Sequence, residues 1–190
     1  MRSPHALTFV LITVLIDTIG LGIVIPVLPE LVMQLTGEGL SAASRWGGWL
    51  AFAYAGMQVV FAPVVGGLSD RFGRRPVLLA SLTAFGLDYL LMGWAPTLGW
   101  LFLGRMVAGM TGASYVTANA YVADVTTPDQ RSQSFGLVGA MFGIGFIVGP
   151  ALGGFLGAWG TRAPFFAAAG LALVNVMYGA VVLPESLPKE

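Results

Sequence analysis

The sequence contains no cysteine, a single histidine (His5), and only nine basic and nine acidic residues among 190. Without cysteine it can form no disulfide bond, thiolate nucleophile or cysteine metal site. The single histidine lies in the N-terminal tail, so neither histidine-based triads nor multi-histidine metal centres are expected. Charged residues make up 9% of the chain, against about 25% in soluble domains, which is too few to cover the surface of a soluble fold. The equal charge balance gives no bulk attraction to nucleic acid, so none is expected as a partner.

The sequence lacks the motifs of two further classes of protein, ATP-driven pumps and intramembrane Ser–His proteases. No Gly-x-x-x-x-Gly-Lys run is present, so nothing supports an ATP-driven pump. Ser114 has no histidine at membrane depth to activate it, so nothing supports a Ser–His intramembrane protease. The sequence also contains no carboxylate–histidine cluster that could bind a metal ion. We therefore expect neither an enzyme nor a protein with a resident cofactor.

Apolar residues, at 56%, and 27 glycines dominate the composition instead. A helix that crosses a bilayer needs about 20 mainly apolar residues, and six windows meet this requirement. They predict an all-α membrane protein in which residues 1–190 form a single six-helix bundle. The longest loop is expected from Pro29 to Arg45. The predicted spans run approximately from Ala6 to Leu28, Trp46 to Leu68, Pro76 to Ala95, Thr97 to Ala123, Ser134 to Gly157 and Pro164 to Leu183.

Basic residues in the predicted loops lie mainly on one side of the membrane. Cytoplasmic loops carry an excess of lysine and arginine. With the N-terminus inside, only Arg45 and Arg162 fall on the outer side. Both termini are therefore expected to be cytoplasmic. The basic residues on that side are Arg2, Arg71, Arg74, Arg75, Arg131 and Lys189.

Residues 87 positions apart repeat one another. An odd number of predicted helices separates the two copies, so they would have opposite orientations in the membrane. This predicts the inverted three-plus-three repeat that occurs within the halves of secondary transporters. The matches include Pro63, Gly66 and Gly67 with Pro150, Gly153 and Gly154, Gly73 and Arg75 with Gly160 and Arg162, and Asp88 with Asn175.

Three ionisable residues, Asp17, Asp88 and Arg105, fall inside predicted spans. Each costs about 2.5–3.5 kcal/mol near the bilayer centre. Such groups usually face the bundle interior. Under the inverted repeat, Asp17 and Arg105 lie on corresponding helices that face one cavity. Loss of hydration favours the neutral carboxyl group, so such an acid can take up and release a proton. The alternatives are a structural ion pair, or an acid that reaches the membrane surface.

Uncharged polar residues in the spans are candidates for hydrogen bonds to a substrate. Gln58 and Asn119 are the main ones, and Asn175 is a weaker one. The alternative is hydrogen bonding between helices.

The loop between the second and third spans combines glycine with charge. Its glycines allow a tight reversal at the membrane face. The charges, together with an acid at the end of the fourth span, could form a salt-bridge network that latches one conformation of the bundle. The alternative is that the arginines only set the orientation in the membrane. The glycines are Gly66, Gly67 and Gly73, and the charged residues are Asp70, Arg71, Arg74, Arg75 and Asp124.

The fifth span carries a row of glycines spaced by four residues, which places them on one face of the helix. Pro150 is expected to kink this helix or to loosen a backbone hydrogen bond. The row predicts either a static packing face or a surface on which another bundle pivots, and a lone bundle is expected to offer it no partner. The row is Gly145, Gly149, Gly153 and Gly157, beside Gly154.

These motifs resemble the N-terminal half of the major facilitator superfamily, and within it the drug–proton antiporters with twelve helices. The segment from Gly66 to Pro76 resembles the superfamily's signature loop, Leu103 to Gly112 its fourth-helix motif, and Gly145 to Gly154 the antiporter motif. Six stretches resemble more closely the bacterial tetracycline–proton antiporters of the inner membrane. They are Asp17–Pro29, Met57–Gln58, Ser69–Leu79, Leu87–Tyr89, Gly109–Ala113 and Ala163–Phe166.

The resemblance implies roles for individual residues. It places Asp17 and Arg105 in the transport cavity and makes Asp88 important for transport. It assigns a cytoplasmic charge network that stabilises the outward-facing state, and an interdomain hinge surface. The implied substrate is tetracycline chelated to a divalent metal and exchanged for a proton, so the metal belongs to the substrate. The network residues are Asp70, Arg74 and Asp124, and the hinge residues are Gly149 and Pro150.

The resemblance also implies a second six-helix half, which is absent from these 190 residues. Alternating access needs two bundles around one cavity. The partner is expected to be either the missing C-terminal half or another copy of the chain, paired by two-fold symmetry. The alternatives are a truncated fragment of a twelve-helix transporter, a non-transporting membrane scaffold, and a transporter of another amphipathic solute.

Overall fold

The computed structural model describes residues 4–112 and 114–183, with the backbone alone at positions 4–6, 114 and 115. The described residues form helices joined by short turns, without β-strands, which confirms the predicted all-α class. The helices are α1 (Pro4–Val24), α2 (Leu28–Thr36), α3 (Leu40–Phe72), α4 (Arg74–Trp94), α5 (Leu98–Thr111), α6 (Ser114–Val125), α7 (Pro128–Gly157) and α8 (Ala163–Val182). Arg2 and Lys189, which contributed to the orientation, lie outside the described residues, as does the side chain of Ser114.

Five of these helices, α1, α3, α4, α7 and α8, are long and apolar enough to cross a membrane. The antiparallel chain path places two groups of turns at opposite ends of the bundle. One end carries Arg71, Arg74 and Arg131 and is called the basic end. The other, called the far end, carries α2 and the α4–α5 and α7–α8 turns.

The predicted loop from Pro29 to Arg45 is wrong for most of its length. The first span ends at Val24, and after a three-residue turn α2 runs from Leu28 to Thr36. Pro29 lies in the first turn of α2, where its missing N–H leaves no intrahelical hydrogen bond unmade. The helix ends at Gly37, with φ of 71°, and it buries Leu31 and Val32 against the bundle. This burial explains why the segment folds back instead of forming an open loop.

The predicted continuous helix from Thr97 to Ala123 is two helices, α5 and α6. The interruption follows Thr111, at Gly112. The side-chain amide of Gln58 donates a hydrogen bond to the Gly112 carbonyl (2.9 Å). A neighbouring helix therefore satisfies a backbone acceptor that the broken helix leaves free, as membrane proteins require.

α1 packs against α6, α7 and α8. Buried apolar residues form two clusters: one around Leu31, Tyr89 and Phe165, the other around Phe9 and Tyr121. α3 is the least buried spanning helix: only 6% of its most apolar window lies inside the bundle. The chain thus has a packed interior and a long exposed apolar face.

Candidate functional site

A cavity of about 370 Å³ lies among α1, α3, α4 and the break between α5 and α6. Its wall is mainly apolar and aromatic. Asp17 is the carboxylate among the residues that line it, and Tyr54, Gln58 and Tyr89 add polar groups. The other lining residues are Thr13, Val14, Thr18, Leu21, Leu78, Leu82, Phe85, Gly112, Ala118 and Phe142. A mainly apolar cavity with few polar groups suits an amphipathic ligand.

Asp17 reaches this cavity from the middle of α1. It is half-buried. The next residue, Thr18, donates its hydroxyl to the Val14 carbonyl (2.7 Å) and is thereby satisfied within its own helix. The structure therefore leaves Asp17 as the acidic group that a cavity ligand would meet.

Arg105 and Asp88 form a buried ion pair. Arg105 Nη2 lies 2.5 Å from Asp88 Oδ2, and the two residues are 7% and 2% exposed. A second acceptor for Nη2 is the sulfur of Met92, at 3.0 Å. An added Cβ at Gly104 would lie 2.5 Å from Asp88 Oδ1, so the absence of a side chain at Gly104 leaves room for the carboxylate.

Arg105, which is expected to face the cavity beside Asp17, is bonded in this structure to Asp88 on the neighbouring helix. Neither Arg105 nor Asp88 is among the lining residues. Tyr54 is, and its ring centroid lies 5.6 Å from the guanidinium carbon of Arg105. The reason is electrostatic: a buried guanidinium needs a hydrogen-bonded anion, and Asp88 provides one in the interior. Tyr54 is therefore next to both the cavity and the ion pair.

The candidate hydrogen-bonding residues divide between the cavity and the helix contacts. Gln58 lines the cavity, but its amide is already bonded to the Gly112 carbonyl and lies 3.5 Å from the Tyr54 hydroxyl. Asn119 is half-buried on α6 and is not among the lining residues. Asn175 is fully buried, does not line the cavity, and donates to the Thr13 carbonyl (3.1 Å).

At the basic end, Arg74 joins two acids. Its Nη1 lies 2.5 Å from Asp70 Oδ1, and its Nε lies 3.1 Å from Asp124 Oδ2. Because Asp70 lies in the last turn of α3, Arg74 begins α4 and Asp124 lies in the last turn of α6, these bonds tie the three helices together. The other two arginines of the loop have different contacts. Arg71 stacks on Phe72 (5.4 Å to the ring centroid), and Arg75 donates to the Ala180 carbonyl (2.7 Å).

The glycine row of α7 has a partner within the chain, contrary to the expectation for a lone bundle. Added Cβ atoms at Gly145, Gly149 and Gly153 would collide with α1, at Thr18, Gly22 and Ile23 respectively. The helix continues through Pro150, whose Cδ packs against Gly22. Other glycines of the predicted hinge surface meet no atom within 4 Å of such a Cβ. They are Gly66, Gly67 and Gly154.

Gly73, between α3 and α4, has φ of 106°. This is a conformation that residues with side chains rarely adopt. The predicted tight reversal at this loop therefore depends on Gly73, whereas Gly66 and Gly67 lie within α3.

Sequence reasoning missed Tyr54 as a cavity residue. The signal was available, because Tyr54 precedes Gln58 by four residues and so shares its helix face. The described residues include no group of three or more His, Cys, Asp or Glu side chains that could hold a metal ion.

Comparison with known proteins agrees with this architecture. The sequence pattern of the Major Facilitator Superfamily matches residues 10–190. Tetracycline resistance protein, class C, of Escherichia coli is 49% identical over 186 residues, which are 98% of this chain and 46% of that protein. Multidrug resistance protein 2 of Bacillus subtilis (strain 168) is 36% identical over 175 residues, 90% of this chain and 42% of that protein.

A solved structure shares the fold. The human organic anion transporter MFSD10 (TETRAN) superposes with a TM-score of 0.84 at 25% identity, over 98% of this chain and 49% of that one. The chain thus spans about half the length of the relatives it matches. With a matching sequence pattern, similar relatives and a shared fold, this chain belongs to the Major Facilitator Superfamily, and its helices form one half of that transporter fold.

Proposed function

We propose that the chain is one half of a secondary active transporter that exports a drug-like amphipathic solute in exchange for protons, by alternating access. The observation that carries this proposal is the cavity with Asp17 in its wall and an apolar, aromatic lining. The relatives named for tetracycline resistance make metal–tetracycline the first substrate to test. The divalent metal would arrive as part of that substrate, and the protein would hold no cofactor of its own.

Asp17 would couple export of the solute to entry of protons, because the solute and the proton compete for its carboxylate. When ionised, it attracts the positive charge of a metal chelate in a setting where water screens little. When protonated, it loses that attraction, and the solute can leave. One carboxylate that holds either cargo or proton is sufficient for exchange, because each occupant displaces the other.

The buried pair of Asp88 and Arg105 would have a different role from Asp17. Tyr54 both lines the cavity and lies against Arg105, and the two charges of the pair are bonded to each other. The pair would keep the first half of the fourth span at a fixed depth against α4. A change in the cavity would reach it through the Tyr54 ring.

Alternating access requires a second bundle. The long exposed apolar face of α3 and the open side of α7 are suited to contact it. The second bundle would be either a C-terminal half of the same transporter or a second copy of this chain. The bonds from Arg74 to Asp70 and Asp124 would stabilise one of the alternating states at the cytoplasmic face. The assembly would lie in the bacterial inner membrane, with both termini in the cytoplasm.

The proposal is tested by Asp17→Asn in vesicles that contain the complete assembly. Addition of magnesium and tetracycline should move protons in the unmodified protein, recorded by a pH-sensitive dye, and should move none in Asp17→Asn. Glu38→Gln is the matched control, because Glu38 is an exposed acid at the far end and should leave the exchange unchanged. Equal proton movement in Asp17→Asn and the unmodified protein would exclude the proposed coupling.

A membrane scaffold without transport is the second candidate, because a purely structural role accounts equally well for the buried Asp88–Arg105 pair. It predicts the absence of proton movement in the unmodified protein with every drug tested. Transport of another amphipathic solute, as the multidrug resistance relatives suggest, predicts proton movement with that drug and its loss in Asp17→Asn.

A further inference from the structure

Two arginines join α4 and α8, one at each end of the bundle. At the basic end, Arg75 Nη2 donates to the Ala180 carbonyl (2.7 Å). At the far end, Arg162 Nη1 donates to the Gly93 carbonyl (2.7 Å). Each guanidinium thereby satisfies a carbonyl in the last turn of the other helix, where a positive charge is favoured. α4 and α8 form an antiparallel pair bonded at both ends.

These two contacts are related by symmetry. Arg162 follows Arg75 by 87 positions, and Ala180 follows Gly93 by the same 87. The arginine of each copy therefore binds the matching carbonyl of the other copy, as a two-fold axis through the α4–α8 pair requires. The glycines before the two arginines, Gly73 and Gly160, both have positive φ, at 106° and 142°. The inverted repeat is thus present in individual contacts of the structure.

Near the middle of the pair each helix carries a buried polar side chain at matching positions, Asp88 on α4 and Asn175 on α8, again 87 positions apart. Asp88 of α4 binds Arg105 of α5. Asn175 of α8, which is fully buried, donates to the Thr13 carbonyl of α1 (3.1 Å). α1 and α5 begin the two copies of the repeat. α4 therefore contacts α5, the first helix of the second copy, through Asp88. In the same way, α8 contacts α1, the first helix of the first copy, through Asn175.

The Asn175 contact lies one helical turn from Asp17. In an α-helix the carbonyl of Thr13 accepts the backbone N–H of residue 17, so Asn175 binds the turn that presents Asp17 to the cavity. Thr13 itself lines that cavity. An amide buried at membrane depth is unfavourable unless it is hydrogen-bonded, and α8 has an otherwise apolar sequence around it.

We propose that Asn175 is a positioning residue for Asp17: it fixes the depth and rotation of α1 against the α4–α8 pair, as Asp88 fixes α5. The proposal rests on the proposed function only for the role of Asp17 as the group that exchanges cargo and proton. The contact itself does not depend on that role. Asn175 is therefore the inverted-repeat counterpart of Asp88, and it acts on the cavity from outside it.

The position of α1 is tested by cysteine labelling. The chain has no native cysteine, so Leu21→Cys, in the cavity wall on α1, provides a single reporter. Asn175→Leu keeps the side-chain volume and removes the donor. The reaction rate of the Leu21→Cys thiol with a polar maleimide, in detergent, should change severalfold in Asn175→Leu. Phe165→Leu, a substitution in the buried core of the same helix that retains Asn175, is the control for general loosening and should leave the rate unchanged.

The consequence for Asp17 is tested by binding of magnesium–tetracycline, followed by drug fluorescence from pH 5 to pH 9. Asn175→Leu should shift the midpoint pH of binding, and Phe165→Leu should not. In an Asp17→Asn background, Asn175→Leu should cause no further change, because the group it positions is gone. A purely structural role would give additive effects instead.

The outcomes separate this inference from the proposed function. A changed labelling rate without any pH-dependent drug binding would support the Asn175 contact and count against the proposed substrate. An unchanged labelling rate in folded Asn175→Leu would overturn the inference, whatever the drug measurements show. If Asn175→Leu does not fold, Asn175→Ser, with a shorter donor, is measured by the same criteria.

Discussion

The two faces of α7 carry the same residue in two different environments. On one face, Gly145, Gly149 and Gly153 lie so close to α1 that an added Cβ would collide with its backbone or with Thr18. On the other face, Gly143 and Gly154 have no atom within 4 Å of such a Cβ. Small residues let helix backbones approach closely in lipid, and this explains the first face. The second has the same composition without a partner among the described residues.

This difference shows that glycine spacing identifies a contact face without identifying what it contacts. The row spaced by four residues predicted a smooth helix face, and the structure confirms the smoothness. The partner is α1 of the same bundle, because α1 also has a glycine, Gly22, where it meets Gly149. The open face is therefore the better candidate for contact with a second bundle.

The largest effect is expected at the most deeply buried contact of the closed interior, the Asp88–Arg105 pair. Arg105→Met leaves the Asp88 carboxylate without its cation, and breaking one side of a buried pair costs about 3–5 kcal/mol. We expect this loss in the free energy of unfolding, measured by denaturation in mixed micelles. The double variant Asp88→Leu with Arg105→Met should recover most of it, since apolar residues of similar volume can replace a buried pair. Equal stability of the single variant and the unmodified protein would show that water reaches the pair.

A smaller loss is expected on the closed face of α7. Gly153→Ala places a methyl group against the Ile23 carbonyl, and because the obstacle is backbone, the helices must separate. Overpacking of this kind costs about 1–3 kcal/mol. Gly154→Ala is the matched control, one residue along the same helix and facing open space. Thermal unfolding of the two variants should differ in that direction, and equal melting temperatures would contradict the close contact of α1 and α7.

Much of this architecture was predictable from sequence because the bilayer restricts the chain to helices of a fixed minimum length. The positions of Asp17, Asp88 and Arg105 inside spans followed from that alone. Their pairing did not follow, because it depends on which helix faces are turned toward each other. The repeat predicted only that Asp17 and Arg105 face one cavity, and the structure pairs Arg105 with Asp88, on the adjacent helix.

The helix ends were less predictable for a similar reason. Pro26 and Pro29 explain a turn after the first span, but the burial of Leu31 that makes α2 a helix depends on tertiary contacts. The break at Gly112 depends on Gln58, which is 54 residues away in the chain. Interactions between distant segments override local propensity at both places.

A still smaller effect on stability is expected at the basic end. Arg74 is 13% exposed, whereas its partners Asp70 and Asp124 are 66% and 29% exposed. Water screens such pairs, and exposed ion pairs contribute about 0–1 kcal/mol. Arg74→Gln should therefore unfold nearly as the unmodified protein does, in contrast to Arg105→Met. A loss as large as that of Arg105→Met would show that the basic end is shielded from water in the assembled protein.

The smallest effect on the fold, and the most informative for the comparison, is expected on the open face of α7. Ile147 is 75% exposed there, and Val181 of α8 is 86% exposed. Ile147→Trp and Val181→Trp add the same bulk to two lipid-exposed helix surfaces, so both should leave the unfolding of a single bundle unchanged.

If the open face receives a second bundle, Ile147→Trp alone should lower the fraction of paired protein, measured as particle mass by light scattering in mild detergent. If both variants pair as the unmodified protein does, the second bundle contacts another surface. If both lose pairing, bulk in the lipid-facing surface acts through the detergent and not through an interface. Loss of pairing in Ile147→Trp alone would therefore show that one glycine face of α7 packs on α1 and the other on the second bundle.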